Sequence, residues 1–521
     1  MPGRLNATIR VVVASMIVLA TAMALEVPEL ALSLFIVLYL TMMVPGVSTQ
    51  NSVFVALGGT IAIIALTFGL LAALLSFRFT VDYPPLRLAT MALGLFVGIW
   101  LSRVFVLGAA GWIFAFVILV TQAYVDILPG PEAMVRAVLW VWMTIVYPAV
   151  ITIAVNLLLL PADPEPLLRD ELAARRDAIE RAVKQAPGSR EALIGFMMQG
   201  TAPLLKLLHL AGIRDGALKA RHAEYAARIE QMQDLVAAAA RLGDLAPAAA
   251  AAERERLTAL LARDAAPLER EPAAEPAQRP FVADAFSNPR YVQFSLKATL
   301  AATLCYVIYT ALDWPGIHTC MMTCAIVALG SAGATIHKAT LRLVGVSIGG
   351  TLALFAIVFV VPHLTSLPGL MLLVAPVTAL AAWVAMGRER TAYIGLQIAF
   401  AFYLAVLQGF APSTDVTEFR DRLVGIALGV TVMAVVFNYV WPERAADGMV
   451  QALRAALRRL KELADGTDKR QAVRAAAWSS LAEAERFAEL AAFEPETSAG
   501  HRRRVLALID RTKRALLAQP V

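Results

Sequence analysis

Two long apolar stretches alternate with two polar stretches along the 521-residue chain. Residues 1–162 and 291–442 carry few charges, whereas residues 163–290 and 443–521 are rich in Arg, Glu, Asp and Ala. A helix needs about 20 predominantly apolar residues to cross a bilayer, because no water is present there to satisfy its backbone. The apolar stretches are therefore predicted to be bundles of membrane-spanning helices.

Clusters of proline and glycine divide each apolar stretch into six candidate spans. The predicted spans lie near residues 9–25, 30–47, 53–76, 87–106, 109–128, 135–160, 292–312, 317–334, 339–361, 368–387, 391–410 and 421–441. The sequence thus predicts an all-α integral membrane protein with about twelve transmembrane helices in two six-helix halves.

The polar stretches have the periodicity of amphipathic helices, with Leu, Ile, Ala and Met on one stripe. Helices are predicted near residues 165–186, 189–210, 213–242, 247–264, 444–464, 467–491 and 500–518, and a Pro/Glu-rich linker at 266–280. The first four helices are predicted to form a bundle or paired hairpins. The predicted domains are a membrane half at 1–162, a helical region with its linker at 163–290, a second membrane half at 291–442 and a helical tail at 443–521.

Short motifs recur in the same order in the two apolar stretches. Glu26 and Asp313 each stand two residues before a proline, in ALEVP and ALDWP, and the same offset of 287 residues relates Arg10 to Lys297. Further matches are Gly58-Gly59-Thr60 with Gly349-Gly350-Thr351, and Leu160-Pro161 with Trp441-Pro442. We interpret the halves as copies of one ancestral unit, an organisation that is common in transporters.

The composition agrees with a membrane protein, since 59% of the residues are hydrophobic and only 17% are charged, against about 25% in soluble proteins. The net charge of +6 comes from bases spread among acids along amphipathic helices, with no basic motif interleaved with aromatic residues. This pattern argues against a nucleic-acid partner and favours a cytoplasmic face beside anionic lipid.

Positive charge in short loops favours the cytoplasmic side of the membrane. With the N-terminus inside, nine bases fall on the inner flanks and five on the outer loops. The bias predicts a multi-pass membrane protein with both termini, and both polar stretches, in the cytoplasm.

The sequence contains no phosphate-binding loop, nucleophile elbow or zinc-protease motif, so neither an enzyme nor a cofactor is expected. The three cysteines, Cys305, Cys320 and Cys324, all lie in apolar helices, which argues against a disulfide framework. His318 is close to two of them, but buried cysteines are more often packing residues than metal ligands. No metal site is predicted.

Ionisable groups in or near the hydrocarbon are the main functional candidates, because each costs about 2.5 kcal/mol or more at the bilayer centre unless it is paired or hydrated. Cations along a route would attract an organic anion, and buried acids could carry a proton. The substrate-path candidates are Arg10, Lys297, Lys338 and Arg342, with Tyr124 and Tyr403 as hydrogen-bonding groups; the proton-coupling candidates are Glu26, Asp313 and Asp126. The alternative for most of them is anchoring at the membrane interface.

The second half carries Asp313-Trp314-Pro315, then Lys338-x3-Arg342-x2-Gly345-x3-Gly349, and closes with Trp441-Pro442. In these residues and in its layout, the chain resembles the fusaric acid resistance family of bacterial membrane proteins, which includes aromatic acid exporters. The first half departs from the pattern, with Asn51 and Phe54 near the places of Arg342 and Gly345. The resemblance implies export of aromatic or other toxic weak acids across a bacterial inner membrane, with a periplasmic adaptor of the membrane-fusion type as partner.

The leading hypothesis is therefore a secondary exporter of small organic anions, chiefly aromatic carboxylates, driven by the proton gradient. A passive anion channel could use the same bases as its lining. A third alternative is a membrane scaffold or sensor without transport, whose polar helices recruit a partner or form a homodimer.

Overall fold

The computed structural model describes residues 2–42, 51–128, 130–262, 280–327, 331–407, 417–466, 470–494 and 499–519. Within these ranges the regular structure is helical, apart from one isolated antiparallel bridge between Phe105 and Phe281. The predicted all-α class is confirmed.

The described residues form 21 α-helices. In chain order they are α1 (Pro2–Leu25), α2 (Leu30–Met42), α3 (Ser52–Thr80), α4 (Pro84–Val104), α5 (Gly108–Ile127), α6 (Pro131–Leu158), α7 (Pro164–Val183), α8 (Ser189–Gln199), α9 (Ala202–Arg214), α10 (Gly216–Ala220), α11 (His222–Ala240), α12 (Pro247–Ala262), α13 (Pro289–Ala311), α14 (Thr319–Val327), α15 (Ala332–Phe359), α16 (Leu367–Ala385), α17 (Glu389–Val406), α18 (Thr417–Tyr439), α19 (Ala445–Ala464), α20 (Arg470–Leu490) and α21 (Ala499–Ala518).

The chain folds into two compact units, each assembled from two separate segments. The apolar unit comprises Met1–Pro161 and Ala277–Glu443, and the polar unit comprises Ala162–Pro276 and Arg444–Val521. Residues 280–288, which the sequence pattern groups with the polar stretch, belong to the apolar unit. There the backbone of Val106 and Val282 hydrogen-bonds to the carbonyls of Pro280 and Val104.

Nine helices among the described residues are long and apolar enough to cross a membrane, or ten if the bent pair α8–α9 counts as one span. The predicted number of twelve is therefore not confirmed. The three predicted spans that fall short correspond to α2, α14 and α17. These helices are largely enclosed by neighbouring helices, so their side chains face protein more than lipid.

The α8–α9 pair differs from the single helix predicted at 189–210, because the chain bends by 62° between the two helices. Gly200, at the break, has φ of +69°, a left-handed conformation that glycine adopts readily. Leu193 and Met197 on α8 pack in one apolar cluster of the polar unit, and Leu204 and Leu208 on α9 pack in another.

Helices of the first apolar segment pack on helices of the second in a reciprocal order. The first helix of each segment packs on the fourth of the other, as α1 on α16 and α13 on α4. The second packs on the fifth, as α2 on α17 and α14 on α5. The core of the apolar unit is therefore made jointly by both segments.

The backbone has a matching feature at the ends of α1 and α13. Glu26 and Asp313 both have positive φ, at +52° and +48°. In each case the next residue donates its N–H to the carbonyl five positions earlier, Val27 to Ala22 and Trp314 to Tyr309, as in a Schellman motif. Leu160 and Trp441, the residues before Pro161 and Pro442, also share positive φ.

The two polar stretches, predicted as separate regions, share one hydrophobic core. Side chains of α7, α8, α11 and α12 pack in the same buried cluster as those of α19, α20 and α21. Trp478 on α20 and Ile179 on α7 are both buried in it. The polar unit is thus completed by α19, α20 and α21.

Small residues let the helices of the apolar unit approach closely. Gly345 and Gly349 on α15 lie against α17, and a methyl group at Gly349 would meet the carbonyl oxygen of Ile398. Gly98 on α4 meets α5 in the same way, and Gly429 on α18 meets α14.

We expect Gly349→Ala to lower the unfolding free energy by roughly 1–3 kcal/mol, because the methyl group overpacks a backbone contact. The matched control is Gly58→Ala on α3, where the nearest atom to the added methyl lies 3.9 Å away. The thermal unfolding midpoints of the two purified variants in detergent measure the loss of stability that each substitution causes. Equal midpoints for the two variants would contradict the close packing of α15 on α17.

Candidate anion-binding site

Two cations lie one turn apart on α15 and face α17. Lys338 Nζ donates a hydrogen bond to the carbonyl oxygen of Ile326 at 2.6 Å, and Arg342 Nη1 donates to the hydroxyl of Tyr393 at 3.2 Å. Lys338 Nζ also lies 5.2 Å from the ring centroid of Tyr393. Residues four apart share a helix face, so both cations point at the same tyrosine.

Lys338 and Arg342 lie on the same helix because α15 begins earlier along the chain than the sequence predicts. The expected span starts near residue 339, whereas α15 begins at Ala332, with the Ser331 hydroxyl capping it by accepting a hydrogen bond from Ala334 N. Both cations are therefore held on a rigid helix rather than in a loop.

No carboxylate forms an ion pair with Lys338 or Arg342 in the part of the chain that the structure describes. Arg342 is only 3% exposed, and its Nε has no hydrogen-bond partner. One turn along α17 from Tyr393, Gln397 is buried with its Oε1 also unpartnered. Two close, enclosed positive charges without an acid favour binding of an anion.

A series of aromatic rings connects α17, α2 and α5 beside this site. The Phe400 and Phe35 ring centroids are 4.3 Å apart, Phe35 and Tyr39 5.6 Å, Tyr39 and Trp112 5.9 Å, and Trp112 and Phe116 5.1 Å. Stacked and tilted rings at these separations offer flat apolar surfaces.

The aromatic series and the cations meet at the end of α14. Trp112 Nε1 donates to the carbonyl oxygen of Ala325 at 3.2 Å, and the next carbonyl, that of Ile326, accepts from Lys338. The site is therefore built from helices of both apolar segments, with α2 and α5 on one side and α14, α15 and α17 on the other.

The other two predicted path cations contact different residues. Lys297 on α13, 1% exposed, pairs with Glu443 at 2.9 Å, donates to the carbonyl oxygen of Trp441 at 3.0 Å and lies over the ring of Phe437. Arg10 on α1, also 1% exposed, donates to the hydroxyl of Ser52 at 3.1 Å. The structure places Lys297 where it fastens the end of α18 to α13.

Among the predicted acids, Asp126 on α5 is enclosed by three donors. Arg87 Nη2 on α4 lies 2.9 Å from Asp126 Oδ1, Tyr306 on α13 donates to the same oxygen at 3.2 Å, and Tyr309 donates to Oδ2 at 2.9 Å. Arg87 also donates to Tyr306 Oη at 2.8 Å. This Asp126 cluster joins α4 and α5 to α13.

The remaining predicted residues are placed apart from these clusters. Glu26 and Asp313 are exposed at the ends of their helices, where the backbone takes the left-handed conformation. Tyr403 is fully buried, with its hydroxyl 2.7 Å from Thr378 Oγ1. Tyr124 packs in an apolar cluster with side chains of α3 and α6. In the described ranges no group of residues is arranged to hold a metal ion.

Tyr393, Tyr306 and Tyr309 are contact residues that sequence reasoning missed. Tyrosines in apolar helices are common, and the sequence alone does not say which helices are neighbours. For Tyr393 the sequence did contain a signal. It lies one helical turn before Gln397 on a predicted span, so the two polar side chains share a helix face.

Comparison with known proteins finds one matching family model and several similar proteins. Residues 291–517 match the model of the fusaric acid resistance protein family. Multidrug resistance protein MdtO of Escherichia coli O6:H1 is 28% identical over 507 residues, covering 89% of this chain and 73% of that protein. The proteins of the same name from Escherichia coli K12 and Shigella flexneri are 28% identical over 512 residues with the same coverage. No solved structure matches the chain.

These similarities, together with the apolar helices, support a multi-pass inner-membrane efflux transporter rather than an enzyme. The resemblance noted in the second half is confirmed, since the matched residues include Lys338, Arg342 and the glycines that follow them. Residues 291–517 are therefore similar to the fusaric acid resistance protein family, and most of the chain is similar to multidrug resistance protein MdtO.

Proposed function

We propose that this protein exports small organic anions, chiefly aromatic carboxylates, across the inner membrane and that the proton gradient drives export. The observation that carries the proposal is the pair of cations on α15, which has no carboxylate partner among the described residues. A transported anion would supply the missing negative charge during each cycle.

The chemistry of the site suits a carboxylate. A guanidinium group presents planar N–H donors that match two carboxylate oxygens, and the Nε of Arg342 has no protein partner. The Lys338 ammonium is held by a backbone carbonyl, a neutral acceptor that a charged ligand can replace. Such charge-assisted hydrogen bonds are stronger than those between neutral groups.

The aromatic series supports an aromatic substrate. Tyr39 and Trp112 provide ring surfaces next to the cations, and ligand sites typically combine such surfaces with a few polar groups. The family description, fusaric acid resistance, and the name of the relatives, multidrug resistance protein, both fit removal of small toxic compounds.

We further propose that the two apolar segments are copies of one ancestral unit that move relative to each other. The reciprocal packing of α1 on α16 and α13 on α4 supports this, as do the paired left-handed residues Glu26 and Asp313. Transporters built from repeats commonly bind substrate where the repeats meet. The distribution of bases supports both termini, and with them the polar unit, lying in the cytoplasm.

Asp126 is the acid that we propose for proton coupling. Its protonation would remove the negative partner of Arg87 and disturb the hydrogen bonds from Tyr306 and Tyr309. Because these contacts join α4 and α5 to α13, a proton bound there would loosen one segment from the other.

The central test replaces Arg342 with Gln in protein reconstituted into liposomes that contain labelled benzoate. We expect Arg342→Gln to reduce benzoate efflux at least tenfold, because the site loses a charged donor worth about 1.5–3 kcal/mol. The control is Arg388→Gln, which removes an exposed arginine at the start of α17. Efflux by Arg342→Gln equal to that of the control would refute the site. Single-channel currents from the wild type would favour a channel instead.

For proton coupling, we expect Asp126→Asn to abolish benzoate transport driven by an imposed pH gradient, since the side chain can no longer take up a proton. The control is Glu132→Gln on α6, an exposed acid that forms an ion pair with Arg136. Both variants are first checked for a single peak in size-exclusion chromatography. Gradient-driven transport by Asp126→Asn at the control rate would exclude Asp126 as the proton carrier.

A further inference from the structure

A cavity of about 220 Å³ lies between the end of α4, the start of α5, and helices α13 and α14. Its floor is buried and includes Phe294 and Ala325, and its rim is exposed at Arg103 and Ala109. Pockets for drug-sized ligands measure about 300–1,000 Å³. This cavity is therefore suited to a smaller molecule, such as an acid with a single ring.

The charged group of the cavity is Arg103. Its guanidinium carbon lies 4.4 Å from the centroid of the Phe294 ring, which keeps the side chain at the rim. Arg103 forms no salt bridge across the described ranges of the chain, and Glu443, the carboxylate that acts on it electrostatically, is paired with Lys297. A carboxylate entering the cavity would meet a cation that is already positioned by an aromatic ring.

The opposite wall is aromatic. Trp112 lines the cavity and also belongs to the aromatic series, with its ring next to those of Tyr39 and Phe116. Phe294 closes the floor and packs edge-on against Phe437, with centroids 5.8 Å apart. A flat ring placed between Trp112 and Phe294 would have its carboxylate toward Arg103.

The end of α14 separates the cavity from the cation pair. The carbonyl of Ala325, which lines the cavity, accepts a hydrogen bond from Trp112, and the adjacent carbonyl of Ile326 accepts one from Lys338. Trp112 in the cavity wall and Lys338 in the anion-binding site are thus attached to consecutive carbonyls of one short helix.

We propose that this cavity is a second binding site, an access site that takes up a small aromatic carboxylate through Arg103 and Trp112 before it reaches Lys338 and Arg342. The proposal rests on the export function proposed above, and it assigns Arg103 to capture and Arg342 to translocation. The ligand passes by displacing the hydrogen bonds that Trp112 and Lys338 make to the end of α14.

Transport kinetics separate the two sites. We expect Arg103→Gln to raise the half-saturating benzoate concentration about tenfold, as for loss of one charge-assisted hydrogen bond, and to leave the maximal rate within twofold of wild type. Arg388→Gln is the matched control and should leave both values unchanged. If the half-saturating benzoate concentration of Arg103→Gln equals that of the control, the proposed access site is refuted, whereas the proposed export function is not.

A second measurement tests occupancy without transport. Ala109→Cys places a thiol on the rim, and the three native cysteines are fully buried, so a maleimide should label the new thiol selectively. We expect benzoate to slow labelling at least threefold, cyclohexanecarboxylate to slow it less, and the protection to persist when Arg342→Gln is added. Ser287→Cys, exposed and outside the cavity, should not be protected.

The outcomes of the two measurements are distinct. Unchanged labelling of Ala109→Cys in saturating benzoate would overturn the access site. Protection of Ala109→Cys by benzoate, combined with wild-type protein that exports no benzoate from liposomes, would retain the access site and reject the proposed export function instead.

Discussion

An enclosed cation within a membrane protein is costly unless a negative charge compensates it, and this constraint shapes the apolar unit. Lys297 has Glu443, and Arg87 has Asp126. The first pair joins α13 to the segment that follows α18, and the second joins α4 to α5, with Tyr306 and Tyr309 linking it to α13. Lys338 and Arg342 differ because neither has an acid within the described residues. Removing one member of a buried pair typically costs about 3–5 kcal/mol, so an uncompensated pair of cations is expected where a ligand supplies the charge.

Hydropathy located the lipid-facing helices more accurately than the helices that are enclosed by protein. Helices such as α3 and α6 are long and apolar and were located within a few residues. In contrast, α17 begins with Glu389 and carries Gln397, and most of its surface is buried among other helices. A helix in such a position can be shorter and more polar, because its side chains are not solvated by hydrocarbon. For the same reason, the number of spans could not be read from the sequence alone.

The sequence predicted which residues form the candidate site, but it did not predict how they are arranged. The spacing of Lys338 and Arg342 indicated that they share one helix face. Their position in an apolar segment indicated a free-energy cost of burying charge, which is typical of functional residues in membrane proteins. The partners of Asp126 could not be predicted, since Tyr306 lies 180 residues away and Tyr309 lies 183 residues away. Arg10 and Lys297 have equivalent positions in the sequence, yet they contact different groups. Matching positions in the sequence motifs therefore did not predict matching contacts.

The shared core of the polar unit has a consequence for biosynthesis. Helices α7, α8, α11 and α12 leave the ribosome well before α19 to α21, with the second apolar segment made in between. Ile179 and Leu193 therefore cannot be covered by their final neighbours, such as Trp478, until the whole second apolar segment has been synthesised. Contacts of such long sequence separation form slowly, because a large loop must close first. The apolar faces of these helices must therefore be kept from aggregating until α19 to α21 have been made. Chaperones and rapid membrane insertion are the means that can do this.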